Sequence, residues 1–197
     1  MRANLLRAMR TDAPGQSALL MLDVADVLVR QGVHYAVVGA MAAAVHGVVR
    51  ASLDADAVVL LQLREAASLR RSLEAAGLRT ELRIGDHDDP IPALLEVRDT
   101  HGNRVDLLVG LRGLDPQALS RSRQVAFADG ALRVIGREDF IAMKAYAGGP
   151  QDLADARAVI AVDRESLDME LLRSLAARFG LDAARAIEEL LADPLTR

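Results

Sequence analysis

The chain has 197 residues, 24 basic and 28 acidic side chains, a formal net charge of −4, and neither cysteine nor tryptophan. This composition excludes a disulfide framework and a thiolate metal site, and it counts against a broad basic cradle for nucleic acid. The longest apolar run, 33–49, is interrupted by two histidines and two glycines, which is unlike a membrane span. With no signal peptide evident, we expect a cytoplasmic protein that does not bind a membrane.

The first part of the chain alternates helical and extended patterns. Apolar residues at helical spacing predict a first helix, and a strand, a short helix between two glycines and a second strand follow it. The predicted bounds are Gln16–Arg30, His34–Val38, Ala40–His46 and Asp56–Leu61.

A second group of elements follows up to residue 135. It consists of a helix that a glycine ends, two alternating strands, a turn into a further strand that contains Asp106, and two short extended pieces. The predicted bounds are Arg64–Ala76, Arg79–Ile84, Leu94–Arg98, Arg104–Val109, Gln124–Ala128 and Leu132–Ile135.

From Arg137 onward the pattern is helical only. Helices are predicted at Glu138–Ala147, Gln151–Val162, Ser166–Phe179 and Asp182–Leu191. We therefore predict an α/β (α+β) fold, in which a small mixed sheet flanked by helices spans 1–136. A helical C-terminal portion spans 137–197 and contributes Lys144 to the site.

Two acids stand one residue apart where the second predicted strand begins. Side chains alternate along a strand, so Asp54 and Asp56 project to the same side. Mg²⁺ binds through one or two carboxylates together with phosphate oxygens. Gly39 and Ala40, at the start of the preceding short helix, offer backbone N–H groups to such phosphates.

Asp106 interrupts the apolar strand 104–109. If this strand lies beside the strand of Asp54 and Asp56, three carboxylates converge, enough to hold two metal ions for an in-line phosphoryl displacement. Arg50 and Ser52 lead into Asp54 and are candidates for contact with phosphate. These residues indicate a metal-dependent nucleotidyl-transfer site.

This combination of a strand, a glycine turn, Asp-x-Asp and a later lone Asp resembles the nucleotidyltransferases that share the DNA polymerase β fold. The segments "YAVVGAMAAAVHGVVRASLDADAVV" and "VIGREDFIAMKAYAGGPQDLADARAVI" are similar to the AbiEii/MenT-type group of bacterial toxin–antitoxin systems. His46, Gly47 and Arg50 match the His-Gly-x-x-Arg stretch of that group. Its second motif matches Lys144 and two aspartates, Asp152 and Asp155, of which we expect Asp155 to face the site.

The resemblance implies a fold, a reaction and partners. Asp54, Asp56 and Asp106 would hold two Mg²⁺ ions, and an NTP would supply the transferred nucleotide. The role of Asp106 is either to help hold the second ion or to act as the base. The implied acceptor is a tRNA 3′ end, and a cognate antitoxin is the implied protein partner. Ala40 departs from the Gly or Ser of the family, so a hydroxyl contact to phosphate is missing.

Lys144 is the single lysine among the 24 basic residues. An ammonium is a compact point charge, whereas a guanidinium is a wide planar fork, so a narrow phosphate site distinguishes them. The alternative is a lysine that extends to solvent from a half-exposed helix. The resemblance favours a place in the site.

Several alternatives remain open from the sequence. The chain is either an enzyme or a nucleotide-binding module without turnover, and the acceptor is an RNA, a protein or a small molecule such as an antibiotic. Two groups of arginines are candidates for a local RNA-binding patch, although solvated arginines are the commoner case. These groups are Arg2, Arg7 and Arg10, and Arg121 and Arg123.

Overall fold

A single mixed sheet organises the computed structural model, which describes residues 9–196. Its seven strands are β1 (His34–Val38), β2 (Asp54–Leu60), β3 (Arg79–Ile84), β4 (Ala93–Arg98), β5 (Arg104–Val109), β6 (Arg123–Phe127) and β7 (Gly130–Val134). Their spatial order is β3-β4-β5-β2-β1-β7-β6. Strand β2, which carries the Asp-x-Asp pair, therefore lies at the centre of the sheet.

Seven α-helices accompany this sheet within the described residues. They are α1 (Ser17–Arg30), α2 (Gly39–Val45), α3 (Leu63–Ala75), α4 (Arg137–Ala147), α5 (Pro150–Val162), α6 (Met169–Phe179) and α7 (Leu181–Ala192). Short 3₁₀ turns occur at Arg164–Ser166 and Pro194–Thr196. None of the helices in residues 9–196 has the length and apolar character needed to cross a bilayer.

The pairing of the strands decides which acids meet. Strand β2 runs parallel to β5 on one side and antiparallel to β1 on the other. Strands β4 and β3 extend the sheet beyond β5 by antiparallel pairing. On the far side, β7 runs parallel to β1 and carries the edge strand β6.

The core is aliphatic, as the scarcity of aromatic residues requires. Helix α1 buries Leu20, Met21, Val24 and Leu28 completely or nearly so. Alternate residues of the central strands, including Ala57 of β2, point to the same core. Helix α4 packs on α5, α6 and α7, which gathers the C-terminal helices around one axis.

The predicted α/β fold class is confirmed. Most boundaries shift by one or two residues, and β2 begins at Asp54, so both acids lie within the strand. One predicted helix, Ser166–Phe179, is wrong in its first turn. Leu167 is extended, and the carboxylate of Asp168 accepts the Leu171 N–H at 2.9 Å, so α6 begins only at Met169.

Candidate active site

Asp56 and Asp106 are direct register partners on the parallel strands β2 and β5. Asp54 lies two residues before Asp56 and therefore on the same face of the sheet. The next strand continues this row, since Glu96 of β4 is the register partner of Asp106. The adjacent strands β2, β5 and β4 thus carry a line of four carboxylates. The sequence predicts that three of them converge, those of Asp54, Asp56 and Asp106, and does not predict Glu96.

Arg104 compensates part of this negative charge. It is the register partner of Asp54, and its guanidinium makes a short charged hydrogen bond to Asp54 Oδ2. Its Nε lies 3.6 Å from Asp106 Oδ1. Ser52 Oγ donates a second hydrogen bond to Asp54 at 2.7 Å. Arg104 therefore lies between two of the acids that were predicted to hold metal.

The pKa values of the three aspartates differ because their surroundings differ. Burial, with the nearby charges of Asp54 and Asp106, raises the pKa of Asp56 to about 6. Burial also raises the pKa of Asp106. It acts in the same direction on Asp54, but hydrogen bonds from Ser52 and Arg104 outweigh it and lower that pKa. The uncompensated negative charge is concentrated on Asp56 and Asp106.

In residues 9–196 no three acidic or histidine side chains are gathered into a group that could hold a metal ion. The Arg104 guanidinium binds Asp54 and lies beside Asp106. The two-metal site stays a prediction. The residues nevertheless fit a divalent cation, because Asp106 Oδ1 is buried without a hydrogen-bond partner in this part of the chain.

Gly39 lies against the acidic row at the turn from β1 into α2. Its φ is +61°, a left-handed conformation that favours glycine, and a Cβ built on it would collide with Asp56 Oδ2. Only glycine therefore satisfies both the turn and the close approach of the carboxylate. Ala40 follows in the first turn of α2 and is buried, and no side chain caps the start of this helix.

Lys144 of α4 faces two aspartates of α5. Its Nζ lies 2.6 Å from Asp152 Oδ1 and 3.3 Å from Asp155 Oδ2. Asp152 lines the cavity described below, whereas Asp155 is only 2% exposed and does not line it. Both aspartates contact Lys144. That Asp155 takes part in the site, which is favoured because the helix dipole already accounts for an acid at position 152, stays a prediction.

Side chains of the His46–Arg50 stretch contact α5 and the residue that follows β7. Arg50 Nε lies 3.2 Å from both carboxylate oxygens of Asp155 and does not line the cavity. His46 is buried, with Nε2 3.0 Å from the Ile135 carbonyl oxygen, and burial lowers its pKa. Arg50 and Lys144 together surround Asp155, which ties the loop before β2 to α4 and α5.

A cavity of about 250 Å³ joins these elements. Asp56, Gly39, Lys144 and Asp152 supply its polar end. The remaining walls are mainly apolar and come from β1, β5, α4, the loop that precedes β4 and the loop that follows β5. These wall residues are Val38, Pro90, Ile91, Leu108, Leu111, Phe140, Met143, Tyr146 and Ala147.

Sequence reasoning missed several of the residues around the site. The sequence contains a signal for two of them, because Arg104 lies two residues before Asp106 on its strand and Glu96 lies two residues before Arg98. It contains none for Tyr146 and Ile91. They reach the cavity only through the packing of α4 and of the 85–92 loop, for which no local pattern exists.

Two arginines of the predicted patches are held by carboxylates, whereas Arg123 is exposed. Arg10 is 8% exposed at its side chain and binds Asp23, Asp26 and Asp129. Arg121 forms a bidentate pair with the buried Asp139. Arg2 and Arg7 lie outside the described residues.

Comparison with known proteins establishes the fold. No family model matches the chain, and no curated protein matches it in sequence. The crystal structure of ANT(2″)-Ia in complex with adenylyl-2″-tobramycin is similar, with a TM-score of 0.57 and 15% identity over 83% of this chain and 96% of that one. The solution structure of the antibiotic-resistance factor ANT(2″)-Ia gives a TM-score of 0.52 and 16% identity over 89% and 94%. The chain thus shares the fold of ANT(2″)-Ia.

Proposed function

We propose that the protein is a metal-dependent nucleotidyltransferase that moves an NMP from an NTP to an acceptor hydroxyl. The observation that carries the proposal is the register pair of Asp56 and Asp106, of which Asp56 lines a cavity that Lys144 also lines. The likeness of the fold to ANT(2″)-Ia supports it.

Asp56, Asp106 and, once Arg104 has moved away, Asp54 are the residues that would hold Mg²⁺. When bound, the metal would stabilise the charge that develops on the phosphate oxygens. Asp106 Oδ1 is buried and accepts no hydrogen bond within the described residues, and the pKa of Asp56 is raised because burial and the neighbouring acids outweigh the nearby cations. A divalent cation would supply further positive charge.

The chain's own groups account for the rest of the reaction. The acceptor oxygen attacks the α-phosphorus, the bond to pyrophosphate breaks, and the hydroxyl proton passes to a carboxylate, for which we propose Asp106. Lys144 neutralises charge on the leaving pyrophosphate. Gly39 and Ala40 present backbone N–H groups to the phosphates, while Asp152 and Asp155 orient the ammonium.

For the acceptor we propose a tRNA 3′ end, with a toxin-like role and a cognate antitoxin as partner. The support is the resemblance of the two segments, 35–59 and 134–160, to the AbiEii/MenT-type group. A small-molecule acceptor is the second candidate, because ANT(2″)-Ia was solved with adenylyl-2″-tobramycin. A cationic aminoglycoside would, however, meet several arginines on the sheet face beside Asp106.

The test offers each of four labelled NTPs with Mg²⁺ to the purified protein, together with total RNA, total protein or a set of aminoglycosides. We expect label to enter the RNA pool, and an Asp56→Asn variant to lose this transfer by orders of magnitude. Label in the aminoglycosides would replace the RNA proposal by the second candidate. A protein that gains thermal stability with Mg²⁺ and NTP but labels no pool would be a binding module, and the proposal would fall.

A further inference from the structure

Three arginines lie on the same sheet face as the catalytic acids. Arg79 and Arg98 continue the register row of Arg104 and Asp54 across β4 to the edge strand β3. Arg83 lies four residues after Arg79 on β3 and therefore on the same face. We call Arg79, Arg83 and Arg98 the arginine face. It begins on β4, the strand next to that of Asp106, and ends on the edge strand β3.

A buried carboxylate holds two of these arginines in place. Arg98 Nε lies 2.5 Å from Glu96 Oε1, and Arg83 Nη2 lies 3.6 Å from Glu96 Oε2. The Glu96 side chain is 6% exposed, whereas the side chains of Arg98 and Arg83 are 42% and 57% exposed. The acid is thus covered by the two guanidinium groups, which present their outer edges to solvent.

The charges of this face favour an anion. On β3 and β4, Glu96 and Glu81 share the face with the three arginines, so these two strands carry one positive charge in excess, while the acids of the proposed metal site lie on the neighbouring strands β5 and β2. Glu81 is itself engaged by Arg83 at 2.8 Å. Movement of Arg104 away from Asp54 on metal binding would add a fourth guanidinium beside the same row.

The spacing of the charges favours a chain of phosphates over a single one. Neighbouring strands lie about 4.8 Å apart, so a chain of phosphates that crosses the sheet would meet the charges of β3 and β4 one after the other. Leu94 and Leu108, which are register partners on the same face, lie half-buried beside Arg83 and lead into the cavity. Cationic groups alternating with apolar surface suit the phosphates and bases of an unpaired strand.

We propose that the arginine face binds the phosphates of a single-stranded nucleic acid whose 3′ end is the acceptor, and that Glu96 is a positioning residue for Arg83 and Arg98. This inference rests on the proposed nucleotidyl transfer and adds the surface on which the acceptor lies. The strand enters from the β3 edge, crosses β4 and presents its terminal hydroxyl to Asp106.

The test measures binding directly, so that it does not depend on turnover. Fluorescence anisotropy with 5′-labelled 12-nucleotide single-stranded RNA, its DNA counterpart and the RNA duplex is recorded between low and moderate salt. We expect the wild-type protein to bind the single strands better than the duplex. In an R83Q/R98Q variant, the affinity for the single strands should fall about tenfold or more. The negative slope of the logarithm of the binding constant against the logarithm of the salt concentration should become shallower by about 1.4, or ~0.7 per lost phosphate contact. RNA and DNA arms show which sugar is preferred.

A matched control removes two exposed arginines elsewhere. Arg173 and Arg185 lie on α6 and α7, 54% and 72% exposed at their side chains, and each contacts an acid. We expect R173Q/R185Q to bind as the wild type does. Equal losses in both double variants would show a diffuse charge effect and overturn the proposal, as would wild-type binding by R83Q/R98Q or no binding by the wild type.

Glu96→Gln separates positioning from simple charge. If the face acts through net charge alone, removal of an acid should tighten RNA binding. If Glu96 positions the two guanidinium groups, binding should weaken severalfold although positive charge has increased. Melting temperatures verify that each variant is folded. Binding of RNA without transfer of any nucleotide would leave this surface established and refute the proposed reaction, so the two failures are distinguishable.

Discussion

Gly39 brings a backbone turn and the carboxylate of Asp56 to the same point. We expect Gly39→Ala to abolish transfer, because the new methyl group would displace the Asp56 carboxylate. The strain of a left-handed alanine costs roughly 1–2 kcal/mol by itself. Gly32 provides the control: its φ is +68°, and an added Cβ would meet nothing within 4 Å.

Urea unfolding and transfer rates are measured on both alanine variants. Gly32→Ala should lose about 1 kcal/mol of stability and keep its activity. Gly39→Ala should lose more stability and all measurable transfer. If the two variants behave alike, the contact between Gly39 and Asp56 has no role beyond the turn.

Arg104 occupies the position of a counter-ion between Asp54 and Asp106. We expect Arg104→Gln to lower the melting temperature in the presence of a chelator, because the acids then repel one another without compensation. The same change should tighten Mg²⁺ or Mn²⁺ binding about tenfold, since the cation no longer competes with a charged hydrogen bond of roughly 1.5–3 kcal/mol. Calorimetric titration of the metal is the measurement.

Arg98→Gln is the control for this effect, since Arg98 lies on the same face and binds Glu96 rather than the aspartates. Its metal affinity should change little. Weaker metal binding by Arg104→Gln would mean that the arginine supports the metal site instead of competing for it.

At the scale of elements, one lysine links α4 to two aspartates of α5. Lys144 contacts both Asp152 and the buried Asp155, so a wider guanidinium has no room to keep both contacts. We expect Lys144→Arg to slow single-turnover transfer about tenfold and Lys144→Met about a hundredfold, which corresponds to roughly 1.5–3 kcal/mol. Both proteins should remain folded, because the change lies at the wall of a cavity.

Arg157 of α5 supplies the comparison. It pairs with Asp193 at 2.7 Å and is 38% exposed at its side chain. Arg157→Lys should leave the rate unchanged. Wild-type rates for Lys144→Arg would show that the lone lysine has no special role in the reaction.

Elements with a strong local signal were predictable from the sequence, and most site contacts were not. Periodicity identifies β1, β2 and β5, and it places Asp54 and Asp56 on one face because strand side chains alternate. The pairing of β2 with β5 followed only from the resemblance. Nothing local indicates that Arg104 would hold Asp54 or that Arg50 would bind Asp155, since the partners are separated by 50 and by 105 positions in the chain.

At the scale of the whole molecule, the acidic row makes stability depend on pH. The pKa of Asp56 is raised from 3.8 to about 6 in the folded state, so the folded protein binds this proton more tightly than the unfolded chain does. Stability of the metal-free protein should therefore fall as pH rises from about 4 to above 6, by on the order of 2–3 kcal/mol from this group. Asp106 acts in the same direction.

Asp56→Asn isolates this contribution from those of other acids. With a chelator present, the variant and the wild type are unfolded in urea at pH 4.5 and at pH 7.5. The variant should gain stability relative to the wild type as pH rises between these values. A constant difference would contradict the raised pKa.

Tyr146 gives the protein an optical property that follows from its place in the cavity. The chain has two tyrosines and no tryptophan, so its ultraviolet emission comes from Tyr35 and Tyr146 alone. Tyr146 lines the cavity and stacks on Phe179, with ring centroids 4.8 Å apart, whereas Tyr35 is buried in β1 at 3% exposure. A ligand that enters the cavity should quench or shift the emission of Tyr146 and leave that of Tyr35 unchanged. A Tyr146→Phe variant should abolish this signal, so occupancy is measurable on the unlabelled protein.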